Sequence, residues 1–155
     1  MIFLNGYRVN AEIRKKVWYY VEVETYYTSK NLIDFFKTFK TEEICERYLM
    51  EARWPDGMPC LQCGKKAFYP RLKKRRAYQC KGCRFFNRPT AGTLFHRTQT
   101  PLQHWFVALF LVSFDKRGIS ALFLSEAIGV HYETAWAMLS RIRRAMAKRE
   151  SIYQL

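Results

Sequence analysis

Residues 60–83 read CLQCGKKAFYPRLKKRRAYQCKGC. Two C-x2-C pairs, Cys60/Cys63 and Cys80/Cys83, bracket sixteen residues rich in Lys and Arg. A single Zn2+ takes four ligands in a tetrahedron, and a C-x2-C turn presents two sulfurs from one backbone knuckle. The separation of the pairs falls within the roughly 15–20 residues found at such zinc sites. Gly64 after the first pair and Gly82 inside the second are expected to let the backbone turn tightly around the metal. With sulfur in all four positions no place is left for a water, so the expected zinc is structural and not catalytic. Three other uses of four cysteines fit less well. Two disulfides need an oxidising compartment. A redox C-x-x-C needs one pair and a βαβ context. Iron–sulfur clusters use other spacings. Cys45 stands apart; it shares a helical face with Tyr48, Leu49 and Ala52 and reads as core.

Between the knuckles, Ala67-Phe68-Tyr69 and Arg76-Ala77-Tyr78-Gln79 read as two short strands, with residues 70–75 as the turn. Arg84-Phe85-Phe86-Asn87 supplies a third. So small a piece has too few apolar residues for a core, and a metal stands in for one: a zinc ribbon. Its tip carries Arg71, Lys73, Lys74, Arg75 and Arg76, placed to meet phosphates.

The surrounding charge agrees. Lys and Arg number 27 against 13 acids in 155 residues, a formal balance of +14. From Gly57 to Phe114 there is no Asp or Glu but there are eleven Lys and Arg. Four thiolates on one Zn2+ would still leave that stretch at about +9. A solvated charged face usually carries both signs; this stretch carries one. Such an excess favours polyanions, nucleic acid first and an anionic membrane second. No membrane span is visible: the longest apolar run, Trp105 to Val112, is far below the roughly 20 residues a bilayer requires. The start, MIFLNGYRVN, has too short an apolar segment for a signal peptide. The expected location is therefore cytoplasmic, with reduced thiols.

Outward from the ribbon, residues 31–53 read as two helices. Leu32, Ile33, Phe35, Phe36 and Phe39 crowd the first, and Thr41-Glu42-Glu43 opens the second with a cap and dipole-favouring acids. Trp54-Pro55-Asp56-Gly57 is a turn. Thr100-Pro101-Leu102-Gln103 reads as a helix start, with Thr100 as cap, Pro101 at the first helical position and Gln103 closing a capping box. That helix is expected to run through WFVALFLVSF to Gly118, largely buried. Ser120 caps ALFLSEAI, which ends at Gly129; Val130 and His131 turn; Tyr132 to Lys148 form a longer basic helix, with Arg141, Arg143, Arg144, Lys148 and Arg149. A helix, a Gly-containing turn and a second helix suggest helix-turn-helix, with Leu124, Ile128, Val130, Met138, Leu139 and Ile142 buried and Ser125 allowing close crossing. In that geometry His131, Tyr132, Glu133, Thr134, Trp136 and Ala137 face the major groove, with Trp136 more suited to packing on the helix beneath. A plain helical hairpin has the same pattern. Val17, Tyr19, Val21 and Val23 alternate like a strand. His96, His104 and His131 lack the spacing of a second metal site.

The segments NLIDFFKTFKTEEICERYLMEARWPDG (31–57), the two C-x2-C pairs, AGTLFHRTQTPLQHWF (91–106) and GISALFLSEAIGVHYETAWAMLSRIRRAM (118–146), in that order, resemble the zinc-ribbon group of bacterial insertion-sequence transposases. The resemblance implies a first, DNA-binding region that recognises the element's terminal inverted repeats, followed by an RNase-H-like catalytic domain with metal-binding acids. Leu155 precedes the family's first catalytic Asp, so the expectation is a DNA-binding region without the catalytic domain. VEVETYY at 21–27 echoes the sequence around that Asp but precedes the ribbon and reads as coincidence. His131 stands where the family more often has a small capping residue.

The resulting expectation is an α+β chain. Residues 1–29 form an extension without a match, 30–56 the N-terminal helices, 57–98 the ribbon, 99–150 a three-helix helix-turn-helix unit and 151–155 a tail. One Zn2+ sits on Cys60, Cys63, Cys80 and Cys83. The expected DNA contacts are Arg71, Lys73, Lys74, Arg75, Arg76, His131, Tyr132, Glu133, Thr134, Arg141 and Arg144. The expected partners are double-stranded DNA at transposon ends, together with self-association or association with a full-length transposase, and the expected setting is the bacterial nucleoid. The alternatives are a zinc-ribbon transcription regulator or RNA-binding module, with Phe68, Tyr69 and Tyr78 stacking on bases, and an active enzyme, which would need an acidic metal cluster.

Overall fold

Local caps decide most of the helices. Asn31 accepts from the Asp34 N–H at 2.9 Å and starts α1, Leu32–Thr38. Thr41 accepts from the Ile44 N–H and starts α2, Glu42–Arg53. Both match the two-helix reading of residues 31–53. These facts come from a computed structural model, which describes residues 3–4, 7–8, 31–72, 76–115 and 117–153. The architecture is α+β. The expected strand through Val17–Val23 and the tip residues Lys73, Lys74 and Arg75 lie outside the described residues, as do the side chains of Lys148 and Arg149. Near the start, β1 (Phe3–Leu4) pairs antiparallel with β2 (Tyr7–Arg8), Phe3 opposite Arg8.

The chain divides into two compact units. One comprises residues 46–97 with the β1–β2 residues; the other comprises residues 31–45 and 98–153. α2 begins in the second unit and ends in the first, and the chain re-enters the second unit at Thr98.

In the first unit, β3 (Tyr78–Gln79) pairs antiparallel with β4 (Phe86–Asn87), Tyr78 opposite Asn87. The expected strand at 67–69 is reduced to single bridges, Phe68 with Cys80 and Leu72 with Ala77. Between those bridges three residues, 69–71, face two, 78–79. This is a bulge, and Pro70, which has no N–H to give a ladder, sits inside it. The hairpin therefore continues to Leu72, whose N–H reaches the Ala77 carbonyl at 2.9 Å, so the turn is shorter than the 70–75 expected.

In the second unit, α3 spans Leu102–Phe114 and buries every residue from Trp105 to Phe110. α1 lays its Phe side chains on it: Phe35 meets Phe110 with centroids 4.9 Å apart, and Phe39 meets Phe106 at 5.0 Å. The start of α3 departs from expectation. Pro101 is the capping residue and offers no side-chain bond, and Gln103 closes no box with Thr100. Instead the Glu42 carboxylate of α2 accepts from the Gln103 N–H at 3.2 Å, while the Gln103 amide donates to the Phe39 and Lys40 carbonyls at 3.0 and 3.1 Å. A carboxylate at a helix N-terminus also complements the dipole. The helix stops at Phe114, with Asp115 as its C-cap, before Gly118.

Ser120 caps α4, Ala121–Ile128, by accepting from the Phe123 N–H at 3.0 Å. Gly129 ends it at φ +66°, a conformation glycine adopts without steric cost, and donates to the Ser125 carbonyl. α5 then runs from Tyr132 to Tyr153, beyond the expected end at Lys148. Leu124, Ser125, Ala135, Met138, Leu139, Ile142 and Ala145 are buried, whereas Ile128 and Val130 are only half-buried. α3, α4 and α5 pack on one another in a helix–turn–helix arrangement. Among the described residues no helix is long and apolar enough to cross a membrane.

Removing the Glu42 carboxylate tests the long-range cap. Glu42→Ala should cost about 1 kcal/mol of stability in chemical denaturation followed by helical circular dichroism. A loss within the error of the measurement would show that α3 does not depend on this contact.

Candidate metal centre

The two knuckles repeat one backbone pattern. The Cys60 N–H donates to the Lys65 carbonyl and the Gly64 N–H to the Cys60 carbonyl, at 2.9 and 2.8 Å. In the second, the Cys80 N–H donates to the Phe85 carbonyl and the Arg84 N–H to the Cys80 carbonyl, at 2.9 and 3.0 Å. Gly64 supplies the left-handed residue of the first at φ +74°. Gly82 lies in the second turn and donates its N–H to Cys80 Sγ at 3.3 Å without a positive φ, and the left-handed slot of the second knuckle falls on Arg84 at φ +60°.

These knuckles bring four Sγ atoms within 4.8 Å of one another. Cys60 and Cys83 sulfurs lie 3.5 Å apart and those of Cys63 and Cys80 3.6 Å apart. Sulfurs at about 2.3 Å from a tetrahedral zinc would be about 3.8 Å apart, so the cage has the size of one ion. Among the described residues this is the one group of three or more His, Cys, Asp or Glu side chains able to hold a metal.

The thiol electrostatics point the same way. Burial pushes the Cys60 thiol up, but N–H groups of Cys63 and Gln62 and the Asn87 amide outweigh it and bring it down to about 6. The Cys80 thiol is lowered, chiefly by the Cys83 N–H against the opposing effect of burial. For Cys83 the Phe85 N–H pulls down, but burial and the three neighbouring sulfurs push the thiol up to about 12. Four thiolates so close cannot all ionise without a cation between them. A divalent ion resolves the conflict by displacing the thiol protons, and the four cysteines fit one structural zinc. Zinc uptake then releases protons, so acid competes with the metal.

One supporting residue was missed by the sequence reading. Asn87, 1% exposed, accepts from the Leu61 N–H at 2.9 Å and donates to Cys60 Sγ at 3.5 Å and to the Phe85 carbonyl at 3.4 Å. It ties β4 to the first knuckle and orients a ligand. Its position in β4 opposite Tyr78 was readable; its inward face was not.

Cys45, as expected, is buried outside the cage. Burial, with the Glu42 charge, pushes its thiol up to about 12, which makes it unreactive. The basic residues sort unevenly. Arg71, expected at the tip, is mostly buried and its Nε pairs with the buried Glu46 carboxylate, so its charge is engaged within the unit. Arg53 is buried too, stacked 4.2 Å over Trp54 and donating to the Pro89 carbonyl. Arg76 is exposed. On α5, His131, Tyr132, Glu133, Trp136, Ala137, Arg141 and Arg144 are exposed and Thr134 is half-buried. Trp136 is 58% exposed, which corrects the expectation that it packs on the helix beneath; the buried positions go to Ala135, Met138 and Leu139.

Elemental analysis should find one zinc per chain. Cys80→Ser should abolish it and unfold the ribbon while leaving the helical signal of α3–α5 largely intact; a ribbon still folded after chelation would contradict the structural role. Asn87→Ala should keep the stoichiometry but weaken zinc affinity by about ten- to a hundredfold in chelator competition, with metal loss beginning at higher pH than in the wild type.

Comparison with known proteins agrees with this geometry. The transposase zinc-ribbon domain family matches residues 40–85. An uncharacterized protein in transposable element ISH50 of Halobacterium salinarum is 31% identical over 113 residues, which cover 71% of this chain and 37% of that protein. The chain therefore spans well under half the length of that relative. No solved structure matches. With a four-cysteine cage of zinc size in the ribbon, residues 40–85 carry a domain of the transposase zinc-ribbon family.

Proposed function

We propose that these residues form the DNA-binding region of an insertion-sequence transposase, which recognises terminal inverted repeats as duplex and does not itself cut them. The observation that carries the reading is the division of α5: Ala135, Met138, Leu139 and Ile142 are buried, while Tyr132, Glu133, Trp136, Ala137, Arg141 and Arg144 face solvent directly after a left-handed glycine turn. A second helix that leads from such a turn with its first residues exposed is suited to enter a major groove. The exposed Arg141 and Arg144 lie two and three turns further on, where phosphates flank the groove. The ribbon adds exposed Lys65, Lys66, Arg76, Lys81, Arg84, Arg88 and Arg97 with no acid from Gly57 to Phe114 to oppose them.

Four of the described carboxylates have other work. Asp34 pairs with Asn31 and Lys37, Glu42 caps α3, Glu46 holds Arg71, and Asp115 accepts from the Arg117 N–H. Strand transfer through divalent metal requires carboxylates that converge on a shared ion, and these are distributed among local tasks instead. The single-strand reading rests on stacking aromatics. Of Phe68, Tyr69 and Tyr78, only Tyr69 is exposed, and Lys81 lies 5.6 Å from its ring. One ring offers a poor platform for successive bases.

Competition between end-containing duplex and a single strand of the same sequence tests the reading; duplex should win. Arg141→Ala with Arg144→Ala should flatten the salt dependence by about two units and weaken all duplexes alike. Tyr132→Ala should instead change sequence preference; equal, uniform weakening by both would refute the groove assignment. With Mg2+ or Mn2+ present no nick should form, and nicking lost on substitution of a carboxylate would make the chain a nuclease.

A further inference from the structure

Three described residues other than glycine have a positive φ, and all three are exposed arginines of the ribbon unit: Arg76 at +45°, Arg84 at +60° and Arg97 at +56°. Left-handed backbone is uncommon for residues with a Cβ and, apart from glycine, favours Asn and Asp. Arg is neither. The same unit places glycine at positive φ three times, at Gly57, Gly64 and Gly92, so the unstrained choice is in use there.

The knuckles turn this into a controlled comparison. Gly64 and Arg84 occupy one slot in two copies of a single backbone motif: each follows the second cysteine, and each donates its N–H to the carbonyl of the first. In the first copy the slot is filled by the residue that fits it. In the second it is filled by a residue that carries a Cβ and so pays a steric cost there. The fold gains nothing visible in return. Among the described residues, the Arg84 guanidinium makes no hydrogen bond or ion pair; only its backbone is used, the N–H by the Cys80 carbonyl at 3.0 Å and the carbonyl by the Gln79 amide at 3.2 Å. Arg97 likewise has no side-chain partner among the described residues, and no carboxylate stands near either in sequence. Strain retained without an internal return points outside the molecule.

We propose that Arg84 and Arg97 are kept in left-handed backbone because their guanidinium groups contact the phosphodiester backbone of duplex DNA. This deepens the DNA-binding reading and rests on it. Guanidinium is the side chain that grips a phosphate through two parallel N–H bonds. Phosphate contacts of this kind fix the protein on the duplex and carry no sequence information. Arg71 and Arg53, whose charges are taken up by Glu46 and by Trp54 with the Pro89 carbonyl, are excluded from this set by the same reasoning.

Glycine substitution separates fold from function. Arg84→Gly and Arg97→Gly remove the strain and the charge together. The full-length, zinc-loaded variants should retain one zinc and melt at or above the wild-type temperature. They should nevertheless bind duplex less well, each losing about one unit of salt slope and about eightfold in affinity at 0.1 M salt. The loss should be equal on an end-containing duplex and on one of scrambled sequence. Arg84→Gln and Arg97→Gln, which retain the strain but not the charge, should show the same binding loss, and Arg84→Lys should recover most of the slope. These glutamine variants also decide the matter if a glycine variant fails to fold. Wild-type slope in the uncharged variants would overturn the proposal while leaving DNA binding intact. A loss confined to the end-containing duplex would overturn the phosphate assignment. A wild-type chain that binds no duplex at any salt would instead sink the DNA-binding reading itself.

Discussion

Four sulfurs converging on one point hold the ribbon together. The regular sheet between and after the knuckles is only β3 and β4, two residues each, joined to the preceding chain by isolated bridges. Pairing so short is not stable alone in water. The cysteine cage links residue 60 to residue 83 through a single ion, and in small metal-bound domains the binding free energy is in large part the folding free energy. The local hydrogen bonds follow from this: each knuckle closes its own turn, and strands β3 and β4 lie between or just after ligands whose positions are already fixed. The same ion reconciles charges that the sulfurs cannot reconcile among themselves, since the thiol of Cys60 is drawn down while that of Cys83 is driven up.

Around that point the unit buries polar groups in matched pairs. Asn87 satisfies the Leu61 N–H, the Phe85 carbonyl and one lone pair of Cys60 at once. Glu46 is 4% exposed and paired with Arg71; Arg53 is 8% exposed, and burial draws its guanidinium down to about 10, still charged at neutral pH. Buried charges are tolerable only when partnered in this way, and removing one member leaves the other desolvated. Their value lies less in net stability than in orientation, because a guanidinium or amide with fixed partners admits few arrangements of the backbone around it.

What the sequence disclosed, and what it withheld, divides by distance along the chain. The C-x2-C pairs, the caps at Thr41 and Ser120 and the stop at Gly129 are written within three or four residues, and each is where the spacing placed it. The cap of α3 is not local. Glu42 serves Gln103 across 61 residues, so Thr100-Pro101 gave the right place for the helix and the wrong residue for its cap. Arg71 belonged by position to a basic run and by packing to Glu46, and no pattern within the run distinguishes it from Arg76. Trp136 was assigned inward on the general habit of tryptophan, but its place on the helix, between buried Ala135 and Met138, turns it out. The bulge at residues 69–71 had a signal in Pro70, which a strand cannot pair, yet reading it requires the register of the opposite strand.

The exposed residues that the fold does not require form the last link between stability and function. A sequence selected only to fold would place a glycine at the second knuckle, as it does at the first, and small or charged residues along the outer face of α5. This chain instead holds Arg84 and Arg97 in left-handed backbone and leaves Tyr132 and Trp136 more than half exposed, one turn apart on the same face of a helix. Both departures lower stability, the first through steric strain and the second through apolar surface left in water. They are of different chemistry and complementary in use. Guanidinium groups meet phosphates at any sequence, whereas aromatic faces and edges discriminate among base pairs by shape and apolar contact.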